Sequence, residues 1–197
     1  MTLKVLIGAI ICATFVALVS ATPTRGVVPG WILDGSSASS YVIGTDPAGG
    51  VNAGPAAYIK STSEITDGFG TLAQMISASK YAGKRVQFSA SVRTEDVKGW
   101  AGLWMRIDGG SGEILGFDNM QSRPIAGTMP WKNYTVVLDA PQSASKIAFG
   151  VLIASSGRVW MDSVKIKVVP DTVPLTGDAT NYRVNKTEPS NLDFKQR

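Results

Sequence analysis

From Val86 to Val92 every second residue is apolar: Val86, Phe88, Ala90 and Val92 share one face of an extended chain, and Arg85, Gln87, Ser89, Ser91 and Arg93 share the other. The same two-residue period returns in "YTVVLD", where Tyr134, Val136 and Leu138 oppose Thr135, Val137 and Asp139. It returns again in "KIAFGVLIA", with Ile147, Phe149, Val151 and Ile153 in one row. No stretch of comparable length keeps a helical period. Short half-apolar strands of this kind cannot bury their faces alone, so they must stack two deep.

The punctuation agrees. "TDPAGG", "YAGK", "DGGSGE" and "ASSGR" supply the Gly, Asp and Ser that tight connections use. "RVWMDSVKIKVV" reads as a closing strand pair or one bulged strand. The expected fold is an all-β, jelly-roll β-sandwich of about eight strands, running from residue 31 to 169.

What flanks that domain bears on where the chain works. Residues 1–21 have a basic start at Lys4, an apolar run from Val5 to Val19, and small residues up to Ala21, which is how a cleaved secretory signal peptide reads. The uncharged stretch is at the short limit for crossing about 30 Å of hydrocarbon, so no membrane span is expected after cleavage. Secretion or periplasmic residence follows. Cys12 is the sole cysteine and lies inside the segment, behind an Ile11 too large for a lipidation site. The remaining chain has no thiol for a disulfide, and its fold rests on its core.

Residues 22–30 read as an exposed leader, and 170–197 as an extended tail in which "SNLDF" (190–194) is strand-like enough to return beside the first strand. Lys4 is the only charged residue of the first 21, so the rest carries 18 basic and 15 acidic residues. These are scattered. Nucleic acid, which selects a clustered basic face, is not an expected partner.

The chain has no histidine, which excludes serine-histidine and cysteine-histidine nucleophilic sites and ordinary zinc sites. Carboxylates are the remaining acid-base groups. Asp108 with Glu113, or Asp118 with Asp139, could serve a hydrolase, but their spacing fixes no pair across a groove, and turn and surface roles account for them.

The segment "KGWAGLWMRIDGG" carries the binding chemistry. On one face stand Trp100, Gly102, Trp104, Arg106 and Asp108; on the other, Ala101, Leu103, Met105 and Ile107. The second row is core. The first combines flat rings with charged hydrogen-bonding groups, the pairing by which proteins hold sugars: a pyranose face lies on an indole while charged groups bond the hydroxyls. Trp104 and Arg106 are the leading ligand contacts, with Asp118, Asn119 and Arg123 as rim and Gln74 and Arg93 to complete a groove. Two alternatives stand beside this. The tryptophans and arginine could form a stacked and covered surface pair, and Arg123 could pair with Asp118 simply to shape the loop. Trp160 is read as structural.

"GKRVQFSASVRTEDVKGWAGLWMRIDG", "FDNMQSRPIAGTMPWKNYTVVLDAP", "IAFGVLIASSGRVWMDSVKI" and "VPLTG" resemble, over about residues 30–176, a bacterial β-sandwich module attached to transcriptional regulators, peptidases or esterase-like enzymes. That module is similar to carbohydrate-binding jelly rolls of galactose-binding-like fold, whose final strand carries an aromatic-x-Asp pattern such as Trp160-Met161-Asp162. The resemblance implies a non-catalytic accessory or sensing module. In some of these jelly rolls the aspartate helps hold a structural calcium; here Ser163 stands where a second acid is common, and no metal or cofactor is expected. The function expected is binding of a carbohydrate or similar polar cell-envelope ligand. An envelope structural or protein-interaction module is the alternative, and a carboxylate-dependent hydrolase the weaker one.

Overall fold

The structure is a computed structural model that describes residues 26–64 and 67–177. The expected signal segment and the expected returning strand at 190–194 lie outside the described residues.

Nine strands form: β1 (Ile32–Asp34), β2 (Tyr41–Asp46), β3 (Ala56–Ser61), β4 (Phe69–Ser77), β5 (Lys84–Gly109), β6 (Ile114–Asp118), β7 (Ile125–Ala140), β8 (Ala144–Ala154) and β9 (Arg158–Val169). Every pairing is antiparallel, in the order β1-β4-β8-β5-β9-β3-β2 with β6 and β7 also on β5. The fold is an all-β sandwich, as the alternation requires. The nine strands among the described residues agree with the expected count of about eight, and the short β1, of three residues, is the one with no period to show.

The two runs "RVQFSASVRT" and "WAGLWMRID" are one strand of 26 residues, not two. The first half of β5 lies between β7 and β9, the second between β8 and β6, so a single strand contributes to both layers. Its corner is at Asp96, whose φ is 51°, and its pairing with β7 shifts between Thr94, Val97 and Ala101. Thr94 pins the bend: its hydroxyl donates to Gly127 O at 2.9 Å and accepts from Met129 N at 3.1 Å. Gly157, with φ 136°, fits against the corner because a Cβ there would stand 2.7 Å from Val97 Cα.

The alternating rows meet in the middle. Val86, Phe88, Ala90 and Val92 face Ile147, Phe149, Val151 and Ile153, all buried, with the Phe88 and Phe149 rings 5.1 Å apart and tilted by 57°. Trp31 packs edge-on to Phe149 at 5.8 Å. Tyr41 lies against Gly70 of the other layer and donates its hydroxyl to Ser155 O at 2.7 Å; burial holds its phenol above the ordinary value. β9 is one bulged strand: Ser163 (φ 54°) and Val164 stand opposite Ala90 alone.

Both flanks are tied more closely than the sequence suggests. Val28, in the expected leader, is 7% exposed and belongs to the core. Residues 170–177 of the expected loose tail are fastened: Arg85 donates to Asp171 O and Val173 O, and Thr176 N donates to Val137 O at 3.1 Å. A proline-rich stretch shows no period, so its side-chain and backbone anchors are invisible to pattern reading.

Candidate functional site

The second half of β5 places Trp100, Gly102, Trp104 and Arg106 on the outward face of the layer built from β1, β4, β8, β5 and β6. Across that face the register lines up Phe69, Ala154 and Trp100; Thr71, Leu152 and Gly102; Ala73, Gly150 and Trp104; Met75, Ala148 and Arg106. Paired residues point the same way. A floor of Gly, Ala and Thr therefore runs between larger walls, leaving an open cleft of about 600 Å3 lined by Asp34, Phe69, Trp100, Trp104, Arg106, Phe117 and Asn119 among others.

Trp104 is held across the floor. Its indole N–H donates to Thr71 Oγ1 at 2.7 Å, and that hydroxyl donates to Val151 O at 3.0 Å. Thr71 is on β4, with β8 between it and β5, so the indole reaches across β8. Trp104 itself lines the cleft.

Arg106 is clamped by Asp108, two residues on and on the same face: Nε lies 2.8 Å from Oδ1, and Nη2 donates to Oδ2 at 3.0 Å. Asp108 is 7% exposed, so the pair is anchored from the buried side. The arginine charge is balanced and its orientation fixed.

The sequence-predicted ligand contacts divide. Trp104, Arg106 and Asn119 line the cleft; Asn119 also accepts from Gln121 N at 3.0 Å, which shapes the loop after β6. Asp118 and Arg123 do not reach it. Asp118 accepts from Arg123 Nη2 at 2.6 Å and Nη1 at 3.1 Å, from Thr176 Oγ1 at 2.6 Å and from Met120 N at 2.9 Å, so the pair holds the loop and the tail. Gln74 donates to Gly30 O at 2.8 Å, on the side of β4 facing away from the cleft. Arg93 is on the outer face of the other layer, 4.0 Å from the centroid of Trp160.

Sequence reasoning missed Asp34, Phe69 and Phe117. Phe117 pairs with Arg106 in register, a relation that no local pattern carries. Phe69 opens "FGTLAQMIS", whose alternation fails at Leu72 and Ala73, both buried on opposite sides of β4.

The outer face of the other layer is anchored by Asp46. It accepts from the Trp160 indole N–H at 2.9 Å, and this bond, with Arg158 and Arg93 nearby, holds its carboxyl below the ordinary value of 3.8. A depressed carboxyl stabilises the fold fully above its unfolded value, and the contribution is lost as pH falls through the folded value. Asp46→Asn is expected to remove that component: the fall in Tm below about pH 4 becomes shallower than in the parent protein. Identical acid profiles for the two would contradict the assignment.

Asp162 on β9 accepts from Val51 N at 2.9 Å and from Ser163 N. Backbone donors occupy both carboxylate oxygens.

No protein-family model matches the chain. Among solved structures, the CBM22-1 xylan-binding domain from Paenibacillus barcinonensis Xyn10C superposes with a TM-score of 0.51 at 14% identity, covering 73% of this chain and 88% of that one. The C-terminal family 22 carbohydrate-binding module of Clostridium thermocellum Xyn10B gives 0.51 at 13%, covering 75% and 91%. The fold is the β-sandwich of carbohydrate-binding modules. At such identities the likeness is one of fold. In sequence, the uncharacterized HTH-type transcriptional regulator YbfP of Bacillus subtilis (strain 168) is 38% identical over 168 residues, 85% of this chain. The chain spans 57% of that protein's length.

Proposed function

We propose that the protein is a non-catalytic module, exported behind residues 1–21, that holds a neutral carbohydrate in the Trp104 cleft. The observation that carries this reading is the Trp104 indole, tied across β8 to Thr71, beside a clamped arginine in a concavity of about 600 Å3. Ligand clefts fall in this size range and combine mostly apolar walls with a few fixed polar groups. The charges favour a neutral ligand, because Arg106 is already balanced by Asp108. They also favour binding over hydrolysis: Asp108 is committed to that pair, and Asp34 accepts from Gly35 N at 2.7 Å. A sandwich similar to part of a chain named as a transcriptional regulator fits a ligand-reading role equally well.

The test is calorimetric titration with soluble xylan, mixed-linkage glucan and galactomannan. Trp104→Ala is expected to weaken binding of the recognised polymer by about thirtyfold, the effect of losing about 2 kcal/mol at a central aromatic contact. Circular dichroism checks that the variant is folded. No binding by the parent to any neutral glycan, or undiminished binding by the variant, would reject the reading. A second reading draws on Ile32 and Met75, 55% and 54% exposed on the same face, which suit a protein partner. Saturable protein binding without a glycan signal would favour it.

A further inference from the structure

The outward face of the layer containing β2, β3, β9 and the first half of β5 carries an alternating stack of rings and cations. The Arg158 guanidinium lies 4.5 Å from the Tyr58 centroid and 4.0 Å from that of Trp160; Arg93 lies 4.0 Å from Trp160 and 5.6 Å from Trp131. The order is Tyr58, Arg158, Trp160, Arg93, Trp131. Register explains it: Tyr58, Trp160 and Arg93 are paired across three neighbouring strands, and Trp131 sits at the bulge of β7 opposite Arg93.

Stacking alone does not account for the hydrogen-bonding groups. Arg93 has no hydrogen bond or ion pair among the described residues, and its Nε is buried without a partner, as is that of Arg158. Arg158 has only Asp46 at 3.8 Å, whose same oxygen already accepts from the Trp160 indole. Leaving charged donors unsatisfied is costly, and a lysine or methionine stem could fill the same space. What arginine adds is a planar fork matched to an oxyanion. The face is net positive: Arg85, Arg93, Arg158, Lys60, Lys165 and Lys167 share it by register, against Asp46, Glu95, Asp139 and Asp162.

We infer that this face is a second binding site, separate from the cleft, at which Arg93 pairs the carboxylate of an acidic, uronate-bearing polysaccharide while the half-buried Trp131 supports its sugar ring. The carboxylate is preferred to a phosphate because the half-buried Trp131 beside Arg93 offers a ring that complements a pyranose, whereas Trp160 is 2% exposed and covered by the two arginines. The site stands whether or not the cleft binds neutral glycans.

The experiment is titration of the full chain at low salt with polygalacturonate, with its fully methyl-esterified form and with polyphosphate. Polygalacturonate should bind, the neutral ester should not, and polyphosphate should bind at least about tenfold more weakly. Arg93→Gln should lose about tenfold in affinity for polygalacturonate, while Trp104→Ala keeps it. Should Arg93→Gln fail to fold, Arg93→Lys preserves the charge and loses the fork, and a several-fold loss is still expected. The inference is overturned by absence of polygalacturonate binding, by equal binding of the ester or of polyphosphate, by dependence on Trp104, or by parent-like affinity in the folded Arg93 variants.

Discussion

Phe88→Ala is expected to lower the free energy of unfolding by about 3–5 kcal/mol, the largest effect of any single truncation proposed for this chain. Phe88 has no exposed surface and meets Phe149 of the opposite layer at 5.1 Å, so the change removes both its burial and a ring-ring contact of about 1 kcal/mol. Relaxation cannot recover much. The strand is pinned on both sides, Phe88 pairing with Val136 of β7 and with Ile166 of β9, so neither the backbone nor the layers can close on the void. Phe88→Leu keeps most of the volume and should cost about 1.5 kcal/mol. Phe69→Ala, on a residue 39% exposed at the cleft, should cost less than about 1 kcal/mol. Urea unfolding measures all three, and a loss below about 1 kcal/mol for Phe88→Ala would show that the two layers do not meet there.

The same residue shows why the fold was legible. Its row alternates without interruption from Val86 to Val92, and that period admits only a strand with one face inside. Trp104 and Arg106 were legible on the same ground, since alternation separates them from Leu103 and Met105 whatever the strand pairs with. Arg93 passes the same test and still lies on the other layer, because the period says which side of a strand a residue takes and not which layer the strand belongs to. The decisive fact is the corner at Asp96, which turns β5 from one layer to the other. Nothing in "TEDVKG" fixes whether the chain there bends, reverses or ends. Asp118 and Arg123 take the alternative that the sequence also allows, a pair that shapes the loop; what the sequence does not carry is their third partner, Thr176, which is 58 residues away from Asp118 in a segment with no periodic signal.

That long-range anchor carries the second large effect. Asp118→Ala is expected to cost about 3 kcal/mol, by analogy with the loss when one member of a buried, hydrogen-bonded ion pair is removed. The Asp118 side chain is 5% exposed and accepts four hydrogen bonds, from two nitrogens of Arg123, from Thr176 and from Met120. Arg123 is 34% exposed and also donates to Thr135 O and Thr176 O, so water and these carbonyls offset part of the loss and keep the cost below the upper limit for such pairs. Removing both partners should cost less than the sum of the two single changes, because no unpaired charge remains. The effect also has a direction through the structure. Thr176 Oγ1 accepts from Val137 N at 2.7 Å while donating to Asp118, so losing the carboxylate frees the hydroxyl that covers a strand amide. Amide exchange at Val137 should therefore accelerate in Asp118→Ala and in Thr176→Val, while that of Val151, in the middle of β8, changes only with global stability. If exchange at Val137 stayed at the parent rate in both variants, the Thr176 hydroxyl would not be what protects that amide, and the Asp118 cluster would be a local feature of the loop after β6.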